Sequence, residues 1–219
     1  GSHPDHPSDK QGKKVFILAP HTDDGELGCG GTIARLIEDG AIVYYVAFST
    51  ADKSVPDEFP ANQLEIEVRH ATQILGIMQE HLFIFNYEVR KLNYVRQEIL
   101  ESLILLRKEI DPDIIFIPSP RDIHQDHSTV ANEAIRAFKT KTIYGYELIW
   151  NNIDFKTNAF IVLQERHVAK KIEALNAYQT QAGKDYLNPD FIRSLAVVRG
   201  TQIGKPFAEA FELIRTIIE

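Results

Sequence analysis

Two short stretches concentrate side chains that bind metal ions and move protons. One runs His21-Thr22-Asp23-Asp24-Gly25-Glu26, the other Asp122-Ile123-His124-Gln125-Asp126-His127. Imidazole nitrogen and carboxylate oxygen suit zinc, and a catalytic zinc site keeps a position open for water. His21, Asp24 and His127 supply a two-histidine, one-carboxylate set that would also take iron(II) or another divalent ion. Asp23 is then left beside the ion but unbound, placed to act as general base. His124, protonated, would stabilise an oxyanion or donate to a leaving amine. Asp126 is expected to hold the His124 ring through its second nitrogen. Together these parts describe hydrolysis of an amide or ester by metal-activated water.

Each stretch alone has a plainer reading. Asp23-Asp24 could cap a helix, and His124 to His127 could be a helix-start cluster. Their joint occurrence is stronger, because Asp23, Asp24 and Glu26 repel one another unless a cation sits among them. Gly25, Gly28, Gly30 and Gly31 do not have dinucleotide-binding spacing, and the carboxylates in that turn would repel a pyrophosphate. These glycines are expected to allow close packing and to let a loop bring His21 to Asp24. Cys29 between them reads as a small packed residue. His70 and His81 read as structural, while His167 and Arg69 read as surface residues.

Short apolar runs alternate with longer amphipathic segments. Strands are predicted at Lys14–Ala19, Ile42–Phe48, His81–Phe85 and Asp113–Ile117. Helices are predicted at Gly30–Glu38, Asn62–Leu75, Asn93–Ile110 and from a Ser128 cap to Lys139. This alternation implies an α/β fold with a mostly parallel sheet and helices on both faces. Both chemical stretches fall at strand ends, and a doubly wound sheet would set those two strands side by side at its switch point. Farther on, Ile143–Trp150 and Ala159–Leu163 read as strands. Gln164–Tyr178 reads as a helix, and Asn188 caps another to Val198. Phe207–Ile217 fits strand or helix.

Composition narrows the function classes. The chain has 219 residues, with 31 Asp and Glu against 24 Lys and Arg, a formal charge of −7. That balance argues against nucleic-acid binding. A single cysteine excludes an intrachain disulfide or a Cys-rich zinc module. No apolar run approaches the ~20 residues of a membrane span. Residues 1–13 read as a polar tail opening on a tag-like Gly1-Ser2-His3, with His3 and His6 solvated, and 14–219 as one catalytic domain. With no signal segment visible, a cytoplasmic site is the default.

At both motifs the chain resembles the PIG-L / LmbE-like deacetylases, zinc enzymes that remove acetyl from N-acetylglucosamine-type sugars. The first motif continues into Gly28-Cys29-Gly30-Gly31-Thr32, and the second is His124-Gln125-Asp126-His127. Weaker similarity extends through Leu75-Gly76, Lys171 to Leu175 with Gln179 and Gln181, Arg199-Gly200 and Ala208 to Phe211. The resemblance implies a Rossmann-like three-layer fold, His21, Asp24 and His127 as zinc ligands, and Asp23 as base. It also implies His124 as stabiliser of the tetrahedral intermediate with Asp126 behind it. Thr22 replaces the usual proline, Gly25 separates the Asp pair from Glu26, and Asp122 stands where some relatives have tyrosine. The expected substrate is a small N-acetyl sugar or conjugate. A non-sugar acyl amide, or a non-catalytic metal- or glycan-binding role, is the alternative. Tyr144–Asn152 has aromatics and amides that suit a sugar face or a core strand.

Overall fold

The computed structural model describes residues 9–50 and 55–219. The first eight residues, with their tag-like start, and the Asp52-Lys53 part of the first long loop lie outside them. Seven strands form one sheet among the described residues: β1 (Lys14–His21), β2 (Ile42–Ser49), β3 (Leu82–Ile84), β4 (Ile114–Pro118), β5 (Thr142–Tyr146), β6 (Ala159–Leu163) and β7 (Phe207–Arg215). Their order is β3-β2-β1-β4-β5-β7-β6. The first five are parallel, and β7 runs antiparallel to both β5 and β6. Six helices accompany them: α1 (Asp24–Glu38), α2 (Gln63–Leu75), α3 (Arg96–Ile110), α4 (Gln125–Ala137), α5 (Glu165–Leu175) and α6 (Pro189–Thr201).

The period-two geometry of β1 explains the three layers. Val15, Ile17 and Ala19 face a core built with Leu27 and Ile33 of α1, Val68 of α2 and Leu175 of α5. Phe16 and Leu18 face the opposite core, with Leu103 of α3 and Val130 and Ala134 of α4. A strand buried on both faces must be apolar throughout, as this one is. The expected switch point is present, since β1 and β4 are neighbours and their following segments leave the sheet at the same edge.

Three boundaries depart from expectation for a visible physical reason, the others moving by three residues or fewer. Helix α1 begins at Asp24, six residues before the predicted start, so Gly25 and Gly28 also lie in the helix rather than in a turn. Glycine is a poor helix former, but a Cβ on Gly28 would lie 2.2 Å from the Tyr146 ring, and one on Gly31 2.4 Å from Leu163. Close packing, not loop freedom, requires them. Helix α4 begins at Gln125, because the His124 ring rather than Ser128 accepts the Asp126 N–H at its start. β5 stops at Tyr146, where Leu148 N–H turns to the Asn152 side chain. The ambiguous C-terminal run is a strand, β7. No helix among the described residues is long and apolar enough to cross a membrane.

Candidate metal centre and active site

The carboxyl ends of β1 and β4 deliver the two motifs to one point. His21 is the last residue of β1 and Asp24 the first of α1, while His127 lies in the first turn of α4. Three atoms face one another there. Asp24 Oδ2 is 3.5 Å from His21 Nδ1 and 3.0 Å from His127 Nε2, and the two ring nitrogens are 3.4 Å apart. Ligands about 2.0–2.1 Å from a tetrahedral ion stand roughly 3.3–3.4 Å from one another. The donor set and its spacing therefore fit a zinc-like ion.

The outer nitrogens strengthen that fit. His21 Nε2 is 2.7 Å from Asp126 Oδ2, and His127 Nδ1 is 2.7 Å from Asp122 Oδ2. A carboxylate behind each imidazole fixes the ring and directs the other lone pair inward. Asp126 thus departs from its expected place. Its carboxylate holds His21, and also accepts the Arg90 and Leu92 N–H groups. It meets His124 only through its own backbone N–H. Asp122, left open by the sequence, is the residue behind His127, and it accepts the His124 N–H as well.

His124 brings a third imidazole, with one ring nitrogen from each of His21, His124 and His127 within 4.8 Å of the others. Its Nδ1 accepts the Asp126 N–H at 3.0 Å, so the ring proton belongs on Nε2. Burial and the neighbouring His127 and His21 lower its pKa, which favours the neutral ring. Burial would also lower His127, but the Asp24 charge and the Asp122 hydrogen bond hold it up to about 10. Burial pushes Asp24 up, yet His127 and His21 outweigh it and bring the carboxyl to about 2. Asp23 makes no hydrogen bond to either ring among the described residues, and the same two histidines offset its burial only in part. Burial and the Asp24 charge raise it to about 7.

Glu26 holds this turn from behind. The hydroxyls of Tyr45 and Tyr178 each contact one Glu26 oxygen and the Thr22 carbonyl. Four oxygen–oxygen contacts share two hydroxyl protons, an arrangement that favours a proton on Glu26. Burial, opposed by the tyrosine hydrogen bonds, raises Glu26 to about 8. The residue after Thr22 is Asp23, so this buried cluster fixes the segment that carries the spare carboxylate.

A cavity of about 390 Å³ opens over the cluster. Asp23, Asp24, His21, His124 and His127 line it, with Arg90, Trp150, Asn151, Gln181, Lys184 and Tyr186 around them. Of the segment Tyr144–Asn152, Tyr146 is buried and Tyr144 packs against the core, while Trp150 and Asn151 reach the cavity. Arg69 is on the surface beside Glu65. His70 is exposed rather than structural, whereas His81 packs on Tyr44 with ring centroids 4.4 Å apart. His167 is buried rather than exposed, because it completes a capping box with Gln164 and bonds Glu38. Cys29 is buried, as expected.

Residues 16–138 match the family described as GlcNAc-PI de-N-acetylase, PIG-L. The chain belongs to that family. A diacetylchitobiose deacetylase of Thermococcus kodakarensis is 26% identical, over 92% of this chain and 83% of the relative. The solved N,N'-diacetylchitobiose deacetylase of Pyrococcus horikoshii superposes with a TM-score of 0.79 at 25% identity, covering 94% of this chain and 85% of that one. A 4-carboxy-2-hydroxymuconate hydratase of Pseudomonas putida shares the fold, with a TM-score of 0.76 at 18% identity, over 94% of this chain and 98% of the hydratase. Members of this fold therefore differ in chemistry, and the site's own residues must carry the functional argument.

Proposed function

We propose that this chain is a metal-dependent hydrolase that removes the acetyl group from an N-acetylated amino sugar. The observation that carries the reading is the triangle of His21 Nδ1, Asp24 Oδ2 and His127 Nε2, with a carboxylate behind each ring. A divalent ion held there, zinc or iron(II), would supply a water of lowered pKa and polarise the carbonyl. Asp23, raised to about 7 and not hydrogen-bonded to either ring, takes a proton from the attacking water and returns it to the departing amine. His124 Nε2–H donates to the carbonyl oxygen as charge develops on it. Asp126 and Asp122 keep the His21 and His127 rings in orientation. The relatives named for diacetylchitobiose support the sugar class.

The test is acetate release from N-acetylglucosamine, diacetylchitobiose and a non-sugar acetamide, before and after chelation. Release from a sugar, lost with chelator and restored by zinc or iron(II), is expected. A metal-replete protein that hydrolyses only the non-sugar amide, or nothing, overturns the reading.

A further inference from the structure

Glu212 of β7 is a buried acid, 6% exposed, that does not line the cavity. Taking a carboxylate out of water is costly unless close partners replace the lost hydration. Its ion-pair partner Arg121 is 3.4 Å away through Nε, and that side chain stands partly in solvent. The Ser119 hydroxyl donates to one Glu212 oxygen, and the Lys156 N–H to the other at 3.3 Å. Two of these three partners, Ser119 and Arg121, belong to the loop between β4 and α4. That loop carries Asp122 and His124.

The sheet is shaped to receive the same loop. Gly145 of β5 pairs with Glu212 across the antiparallel ladder. A Cβ on Gly145 would lie 3.2 Å from the Ser119 Cα and 3.5 Å from the Pro120 ring. The loop therefore lies against bare backbone beside the Glu212 side chain. Ser119 N–H donates to the Tyr146 carbonyl at 2.9 Å, so β5 holds the main chain of Ser119 and β7 holds its hydroxyl. Hydrogen bonds continue from there toward the metal cluster. The Ser119 carbonyl accepts the Asp122 N–H at 3.0 Å, and Asp122 Oδ2 is 2.7 Å from His127 Nδ1. Ser119, Asp122 and His127 are each no more than 4% exposed, so water competes at none of these links.

The two carboxylates behind the imidazoles are braced differently. Asp126 accepts the Arg90 and Leu92 N–H groups, which come from the segment before α3. The Asp122 side chain, among the described residues, bonds only His124 and His127. A carboxylate can aim a ligand ring only if it is itself held. For Asp122 that hold is the anchorage of its own loop to the sheet.

We infer that Glu212 is a positioning residue for the candidate metal ligand His127, acting through Ser119 and Asp122. This rests on the reading of His127 as a ligand.

Zinc affinity of the folded protein, measured by competition with a chromophoric chelator, tests it without an activity assay. Asp122→Ala sets the scale, with an expected loss of about 10–100-fold. Glu212→Ala and Ser119→Ala should each weaken zinc binding about tenfold, the lower end of that range. The double variant should lose no more than the worse single variant, because both changes cut one link. Glu212→Gln, which keeps an acceptor for the Ser119 hydroxyl, should recover most of the affinity. Cobalt(II) in the same site should give an altered visible spectrum in Glu212→Ala. Val168→Ala, in the small apolar cluster with Leu163 and Ala196, is the control for lost stability alone and should bind zinc as the wild type does. Undiminished zinc affinity in Glu212→Ala overturns the inference. So do losses that multiply in the double variant, or an equal loss in Val168→Ala. A wild-type protein that binds no zinc overturns the ligand reading and this inference with it, so the two failures are told apart.

Discussion

Helix α1 carries a glutamate near each end, and the two have opposite surroundings. Glu26, in the first turn, is fully buried between Tyr45 and Tyr178, and burial raises it to about 8. Glu38, in the last turn, is largely in solvent, where the Arg166 hydrogen bond and His167 bring it down to about 2. The residue type and the helix are the same, and the neighbours decide the sign. At the buried end the carboxylate braces the turn that carries Asp23. At the open end it ties α1 to α5 through solvent-screened contacts.

The largest expected contrast lies within the buried end itself. Asp24→Ala removes the acid that bridges His21 and His127, and should abolish both metal retention and turnover. Asp23→Ala should keep the metal and still lose about 10²–10⁴-fold in kcat, the usual worth of a general base. Metal content by elemental analysis, read beside kcat, separates them. Equal metal loss in both variants would make Asp23 a ligand and erase the distinction.

Glu26 gives a smaller effect, on stability. Glu26→Ala leaves a cavity and strips a partner from two buried hydroxyls, so unfolding in urea should show a loss of about 2–4 kcal/mol. Glu26→Gln keeps the volume and can both donate and accept, so its loss should stay within about 1 kcal/mol. Equal losses would mean that the cluster needs the acid itself and not its shape and hydrogen bonds.

The Glu38 end should show the smallest change, with a definite pH sign. A carboxyl held below its ordinary 4.5 contributes stability above that value and loses it as pH falls toward about 2. Thermal melts of Glu38→Gln should therefore lie slightly below the wild type at pH 6 and converge with it by pH 2. Exposure and screening keep this difference under about 1 kcal/mol.

Much of this arrangement was legible from residue order. The apolar run at Lys14–Ala19 and the one at Asp113–Ile117 read as buried strands, and their adjacency follows from doubly wound topology. Both acidic histidine motifs then had to share an edge. The start of α1 was hidden because Gly25 and Gly28 read as a turn, and only the approach of Tyr45 and Tyr146 accounts for them. The pairing of Asp126 with His21, and of Asp122 with His127, was not readable either. Motif spacing says which residues are near, whereas side-chain direction depends on where α4 begins, and that depends on a histidine ring acting as a cap. Glu212 left no sequence signal, since the meeting of β7 with the loop after β4 is not visible before the chain is folded.

The placement of β7 has a consequence for how the molecule is made. β6 joins the sheet only through β7, which is synthesised more than forty residues later. During translation residues 159–163 leave the ribosome with no strand to receive them, and wait until 207–215 insert between them and β5. Tyr178, which closes the clamp on Thr22 and Glu26, also belongs to this late-made region. The turn that carries Asp23 and Asp24 is among the first segments synthesised, yet it gains its full support only when β7 is in place.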